Sequence, residues 1–313
     1  MREGLVYRST GSWYNVKDLN GDFFSCRIKG KFRSQEIIST NPIAVGDIVD
    51  FIVTEEDNRY VGLIHKIHKR NNYIVRKSVN LSKQIHIIAA NINQVFLFIT
   101  LNNPRTHYAF IDRFLVTAKA YHVPVLLLFN KIDSYVKEEN DQLIKMIKVY
   151  QEIGYKCHKI SCFRPNDIKV VSKLMFNKVN MFAGHSGVGK STLLNAIDPD
   201  LDIKTAPISD LHKKGQHTTT FAQMYDLENG SRIIDTPGIK GFGVVDIKPR
   251  ELGEYFIEFE LFKRKCRFND CIHVDEPGCG IKAAVNKNKI SESRYNSYLK
   301  LLIDDTVYRF KIS

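Results

Sequence analysis

The chain has 313 residues, is 43% hydrophobic and 26% charged, and carries a formal net charge of +12. Such a length suits two or three domains with real cores, and the basic balance makes an anionic polymer the first partner to consider. The longest apolar run, Val123–Phe129, is too short to cross a bilayer, and Met1–Arg8 lacks the apolar stretch of a secretory signal. A soluble, cytosolic protein without membrane contact is therefore expected, its six cysteines serving as metal ligands or free thiols rather than disulfides.

The first part reads as short strands. Leu5–Val16 is rich in β-branched and aromatic residues and is broken by Gly11, and Asn20-Gly21 marks a hairpin leading into Asp22–Ile28. Val45–Val53 and Tyr60–Ile67 add two more strands, which predicts a small barrel of the oligonucleotide-binding (OB) type over residues 1–70. Such barrels bind RNA through aromatic and basic side chains; Lys29, Lys31 and Arg33 form one candidate cluster and Lys66, Lys69 and Arg70 a second. Each of these charges taken singly reads better as a solvated turn, and Trp13 as core; only as a group, with the high net charge, do they point to RNA. Arg70–Lys77 reads as a polar link to the next domain.

Residues 71–245 alternate strand and helix, the pattern of a parallel sheet covered by helices. The strand Asn93–Thr100 precedes the amphipathic helix Tyr108–Ala120, and the strand Val123–Phe129 ends in Asn130-Lys-Ile-Asp133. A carboxylate at Asp133 can accept hydrogen bonds from guanine N1–H and the 2-amine, whereas adenine would leave it unpaired. Asn130 would tie this loop to a phosphate-binding loop, and the Lys131 stem would cover the base. A helix over Asn140–Gly154 and a strand over Tyr155–Phe163 follow, and the backbone N–H groups of Ser161 and Cys162 are the candidates to meet guanine O6.

The phosphate-binding loop itself is Gly184-His-Ser-Gly-Val-Gly-Lys-Ser191, which fits G-x-x-x-x-G-K-[S/T] between the strand Lys178–Ala183 and a helix beginning at Thr192. Gly184, His185, Ser186, Gly187, Val188, Gly189 and Thr192 belong to the expected cradle of N–H groups and helix dipole. Lys190 would reach the β- and γ-phosphates, and the Ser191 hydroxyl would hold Mg²⁺. Downstream, Thr219 of His217-Thr-Thr-Thr220 could complete the metal shell. Asp235 of Asp235-Thr-Pro-Gly238 would hold Mg²⁺ through water, and the Gly238 N–H would sense the γ-phosphate. Ile239 follows, where Ras-like enzymes place a water-orienting Gln. Unaided hydrolysis should then be slow, on the order of 10⁻⁴ to 10⁻³ s⁻¹ or somewhat above, and His217 is the candidate to orient water. The guanine motif precedes the phosphate loop, the reverse of small GTPases: a circular permutation, in which the Asp235–Gly238 switch leads directly into residues 246–313.

That last segment carries Cys266, Cys271, His273 and Cys279, a set suited to one tetrahedral Zn²⁺. Helices are expected over Pro249–Phe262 and Ser291–Leu302, and Lys263-Arg-Lys-Cys-Arg267 is a basic run beside the metal residues.

The permuted order, the Gly-x-Ser-Gly-Val-Gly-Lys-Ser loop, the His-Thr-Thr-Thr run and the cysteine cluster together resemble the bacterial ribosome small-subunit-dependent GTPase A family. Ile111-Asp-Arg113 and Ala90-Asn-Ile-Asn-Gln94 are also similar to its members, and the resemblance covers essentially the whole chain. It implies a GTP/GDP-binding hydrolase acting late in maturation of the small (30S) ribosomal subunit, stimulated by that subunit and bound to rRNA, and it matches the four metal ligands residue for residue. The expected architecture is an α/β, circularly permuted P-loop GTPase domain between an N-terminal OB-type barrel and a C-terminal helical zinc-binding domain. A monomer is expected. Two alternatives stand beside it: a nucleotide-gated rRNA-binding module with negligible turnover, and an ATPase.

Overall fold

The computed structural model describes residues 1–28, 42–56, 59–77, 85–201, 222–235 and 247–303. His217, Thr219, Gly238 and Ile239, and the cluster Lys29, Lys31 and Arg33, lie outside the described residues.

Five strands close into a barrel: β1 (Arg2–Ser9), β2 (Tyr14–Asp18), β3 (Phe23–Ile28), β4 (Ile48–Glu56) and β5 (Arg59–Ile67). The order β1-β2-β3-β5-β4 is sealed by β4 pairing back onto β1, with β3 and β5 parallel. The β2–β3 turn carries Gly21 at φ 94°, as the Asn-Gly pair requires. Alternate residues point inward, so Val6, Tyr14, Val16, Cys26, Val49, Phe51 and Ile64 fill the interior. Arg70 locks the barrel's exit, its Nε and Nη2 donating to the buried Asp47 carboxylate at 2.7 and 2.6 Å. The stretch expected as a plain link instead holds a strand: β6 (Tyr73–Lys77) pairs antiparallel with β7 (Ile85–Ala90).

The central sheet runs β10 (Lys156–Lys159), β9 (Val125–Phe129), β8 (Gln94–Ile99), β11 (Val179–Ala183), β13 (Arg232–Asp235), β12 (Gln223–Asp226). The first five are parallel and β12 is antiparallel to β13. Strand β8 is buried along its whole length, which requires helices on both faces. Its residues Val95, Leu97 and Ile99 pack with α1 (Tyr108–Ala120) and α2 (Lys137–Glu152); Phe96 and Phe98 pack with α3 (Pro165–Met175) and α4 (Lys190–Ile197). Arg8 of β1 pairs with Gln223 of β12, so barrel and central sheet form one hydrogen-bonded surface.

The C-terminal part is helical. Two 3₁₀ turns (Leu252–Tyr255 and Ile257–Phe259) lead into α5 (Glu260–Lys263), α6 (Gly280–Asn286) and α7 (Glu292–Ile303). The single helix expected over Pro249–Phe262 is therefore broken into tighter turns. Phe256, extended between the two turns, accepts from Phe259 N at 2.9 Å, and the two rings stack at 5.1 Å, each also packed against Tyr298.

Candidate nucleotide site and metal centre

Two loops meet where β9 and β11 end. Gly184 and Gly189 of the phosphate loop sit at φ 138° and 101°, a region that side chains rarely adopt. A Cβ at Gly184 would lie 2.8 Å from Phe98 O, and one at Gly189 would lie 2.3 Å from Asn130 Nδ2. Glycine at these positions is what lets the loop coil tightly against its neighbours.

Asn130 is the fastener between the loops. It is 1% exposed, and its Nδ2 donates to Val188 O at 2.8 Å. Cys162 packs beside it, Sγ 3.3 Å from Asn130 Nδ2 and 3.6 Å from Gly189 O. Tyr135 holds the same loop from behind, donating to Asn130 O at 2.6 Å and accepting from Leu101 N at 3.0 Å. Lys131 adopts φ 65° and its Nζ donates to Asn103 O, which draws its stem across the loop. Asp133 is exposed. Ser161 is fully buried and its N–H is committed to Asp167 Oδ2 at 2.9 Å, while its Oγ accepts from Phe163 N. The backbone donor expected of Ser161 is thus already engaged within the protein. Cys162 stands in the sequence only as a loose match beside Ser161, and Tyr135 carries no signal there, because a phenol in a loop reads as ordinary packing.

Lys190 curls back over the phosphate loop, its Nζ donating to Gly184 O at 3.0 Å and His185 O at 2.7 Å. Burial pushes this ammonium down to about 8, against the opposing pull of the Asp235 carboxylate at the end of β13. The His185 ring lies on Phe110, centroids 4.0 Å apart. Burial, with Lys190 and His107 nearby, keeps His185 below the usual histidine range. Ser186 is exposed, and Gly187, Ser191 and Thr192 are half-buried.

Some distance along the chain, Cys266, Cys271, His273 and Cys279 bring their ligand atoms within 4.8 Å of one another. The three Sγ atoms lie 3.6, 3.3 and 3.5 Å from His273 Nδ1. A tetrahedral zinc with Zn–S of about 2.3 Å and Zn–N of about 2.0–2.1 Å places sulfur and nitrogen about 3.6 Å apart, so this donor set fits the ion. The loop is built for it. Glu276 accepts from Ile272 N at 2.7 Å and Val274 N at 2.9 Å, and Tyr295 and Tyr298 donate to the carbonyls of His273 and Ile272. Gly280 N and Lys282 N point at Cys266 Sγ and Cys279 Sγ, as second partners of thiolates do.

Among the described residues three exposed rings carry a cation, one of them Phe23, 53% exposed with the Lys17 ammonium at 5.4 Å. On the barrel, Trp13 is 46% exposed with the Arg27 guanidinium 5.9 Å from its ring, so Trp13 is not core. Beside the metal residues, Phe268 is 41% exposed with Arg267 at 5.6 Å. Among the described residues, no helix is long and apolar enough to cross a membrane.

Comparison with known proteins gives a consistent result. Residues 67–245 match the family model described as RsgA GTPase, and residues 3–61 match the RsgA N-terminal domain. A protein of Flavobacterium psychrophilum named small ribosomal subunit biogenesis GTPase RsgA is 59% identical over 310 residues, covering 99% of this chain and 95% of that one. The protein of the same name from Bacteroides fragilis is 49% identical, covering 96% of each. Among solved structures, YjeQ from Thermotoga maritima aligns with a TM-score of 0.79 at 32% identity, over 99% of both chains. YloQ, described as a circularly permuted GTPase, aligns at 0.73 and 26% identity, over 98% of this chain and 95% of that one.

Proposed function

Because the chain belongs to the RsgA GTPase family, we propose that it binds the small (30S) ribosomal subunit, acts late in its assembly, and hydrolyses GTP to GDP and phosphate with stimulation by that subunit. Family membership makes it a GTP-hydrolysing enzyme and removes the two alternatives, a binder without turnover and an ATPase. The observation that carries the nucleotide reading is the Asn130–Val188 hydrogen bond, which fastens a guanine-reading loop to a phosphate loop.

In this reading Asp133 accepts from guanine N1–H and the 2-amine, the Lys131 stem covers the base, and Asn130 sets the spacing to the phosphates. With the Ser161 N–H engaged by Asp167, the N–H of the adjoining Cys162 becomes the donor to guanine O6. The loop from Gly184 to Thr192 cradles the phosphates and Lys190 neutralises charge developing on them. Ser191, with Thr219 and Asp235, would hold Mg²⁺, which when bound offsets phosphate charge. The Gly238 N–H reports the γ-phosphate, and His217 orients the attacking water in place of the Gln that Ile239 replaces.

The division into residues 1–70, 71–245 and 246–313 assigns three tasks. The barrel grips rRNA through Trp13 and Arg27, and the C-terminal domain through Arg267 and Phe268, with one structural Zn²⁺ holding that domain together. Aromatic faces beside guanidinium groups suit unpaired bases and phosphates. The protein works as a cytoplasmic monomer. The deciding experiment is GTP turnover with and without purified small subunits at fixed salt. Stimulation of about tenfold or more, some 1.4 kcal/mol off the barrier, is expected; unchanged slow turnover would sink the subunit assignment.

A further inference from the structure

Helix α1 touches two sites at once. Phe110 in its first turn stacks on His185 of the phosphate loop, and the His185 carbonyl shares the Lys190 ammonium at 2.7 Å. Two positions on, about 200° around the helix, Asp112 accepts from Arg294 Nη1 of α7 at 2.6 Å and from Tyr150 OH at 2.8 Å. Arg294 in turn grips Glu258 with Nε at 2.7 Å and Nη2 at 3.1 Å. Helix α7 continues the line of contact, because its Tyr295 and Tyr298 donate to the carbonyls of His273 and Ile272.

The packing makes this line stiff. Ile111, Phe114 and Leu115 of α1 lie in the core under the central sheet, while Val116 lies in the C-terminal core with Phe256, Phe259 and Tyr298. A helix shared by two close-packed cores moves with both or with neither. The Arg294 ion pairs cannot open without stranding charge in the interior.

We propose that Phe110 is a positioning residue through which the phosphate loop and the metal-bearing helical module sense each other, with α1 as the connecting rod. The proposal rests on the nucleotide reading of the phosphate loop. A polyphosphate drawing on Lys190 loads the His185 peptide, His185 bears on Phe110, and Asp112 passes the displacement to Arg294 and α7. Coupling of this kind is reciprocal, so whatever grips the helical module alters nucleotide affinity by the same factor.

The test uses the full zinc-loaded chain, GDP and a non-hydrolysable GTP analogue, with nucleotide binding measured by titration and amide hydrogen exchange read over α7. In the native protein the α7 exchange rates should differ by about fivefold or more between the two complexes. Phe110→Ala should erase that difference while both nucleotides still bind, and Phe110→Tyr, which keeps the ring, should retain it. Phe110→Leu fills the space without a ring and decides the matter should the alanine variant not fold; it too should lose the difference. A difference that survives in the alanine or leucine variant overturns the proposal, as does equal exchange in both native complexes. Failure of the native chain to bind either nucleotide would instead strike the functional reading beneath it.

Discussion

Arg294 Nη1 stands 2.6 Å from Asp112 Oδ1, and both side chains are sealed from solvent although they lie far apart in the sequence. With Glu258 they form a buried group of one cation and two carboxyls, and burial holds Asp112 above the usual carboxylate range against the pull of Arg294. Removing the cation leaves the carboxyls unpaired. Arg294→Met should cost about 3–5 kcal/mol of stability, read as a lowered urea midpoint. Adding Asp112→Asn, which removes one stranded charge, should recover part of that loss. An Arg294→Met midpoint equal to the native one would mean that the pair contributes nothing.

The Lys190 ammonium predicts how nucleotide affinity depends on pH. Its pKa in the free chain is pushed down to about 8 by burial, and phosphate binding needs it charged. Below about 8 the proton is already present. Above it, binding must take one up, so affinity should fall by up to tenfold per pH unit as pH rises. Calorimetric titration of GDP in buffers of different ionisation enthalpy would register that proton. Lys190→Met should bind weakly and show no such uptake.

Base specificity is predicted to reside in one carboxylate. Asp133→Asn replaces an acceptor pair with an amide and should weaken GTP binding by roughly 10²–10⁴-fold, the worth of two hydrogen bonds to a charged group. A xanthosine nucleotide, which carries an oxygen at C2, can accept from the new amide and should bind the variant better than it binds the native chain. Equal loss for both nucleotides would show that Asp133 acts through loop shape alone.

The Cys266, Cys271, His273 and Cys279 cluster should bind one zinc per chain, measurable by elemental analysis. Ion binding in comparable small sites contributes roughly 10–16 kcal/mol, largely as folding energy. Cys271→Ser should therefore lose metal and loosen the turns and helices of Leu252–Ile303, seen as lost near-ultraviolet circular dichroism from Phe256, Phe259, Tyr295 and Tyr298. Full metal content in that variant would exclude Cys271 as a ligand.

These sites differ in how far the chain alone discloses them. The phosphate loop is legible because its chemistry is local: glycines, a lysine and a serine at fixed spacing between a strand and a helix. Helix α1 is legible for a similar reason, and its observed bounds, Tyr108–Ala120, coincide with those read from its apolar stripe. Arg294 is not legible. An arginine on a polar helix reads as a solvated charge, and only the fold brings Asp112 and Glu258 to it. Phe110 hides differently, since a phenylalanine in an apolar stripe reads as core whatever it stacks on. The 3₁₀ turns from Leu252 to Phe259 were hidden too, because aromatic packing against Tyr298 overrides a composition that favours a plain helix. The β6–β7 pair is not legible either, because basic and amide residues on Asn71–Lys77 mask a short apolar centre, Ile74 and Val75.

The pairing of Arg8 with Gln223 has a consequence for the birth of the molecule. The barrel closes on itself through β1 and β4, so it can form while the rest of the chain is still being made. Strand β12 emerges from the ribosome much later; at ordinary rates of synthesis the delay is on the order of ten seconds. During that interval the overhanging end of β1 is a short, open edge, small enough to resist pairing with strangers. The hairpin of β12 and β13, which delivers Asp235, is then received between two surfaces, β11 on one side and β1 on the other. The nascent chain thus prepares an early strand as a berth for one made much later.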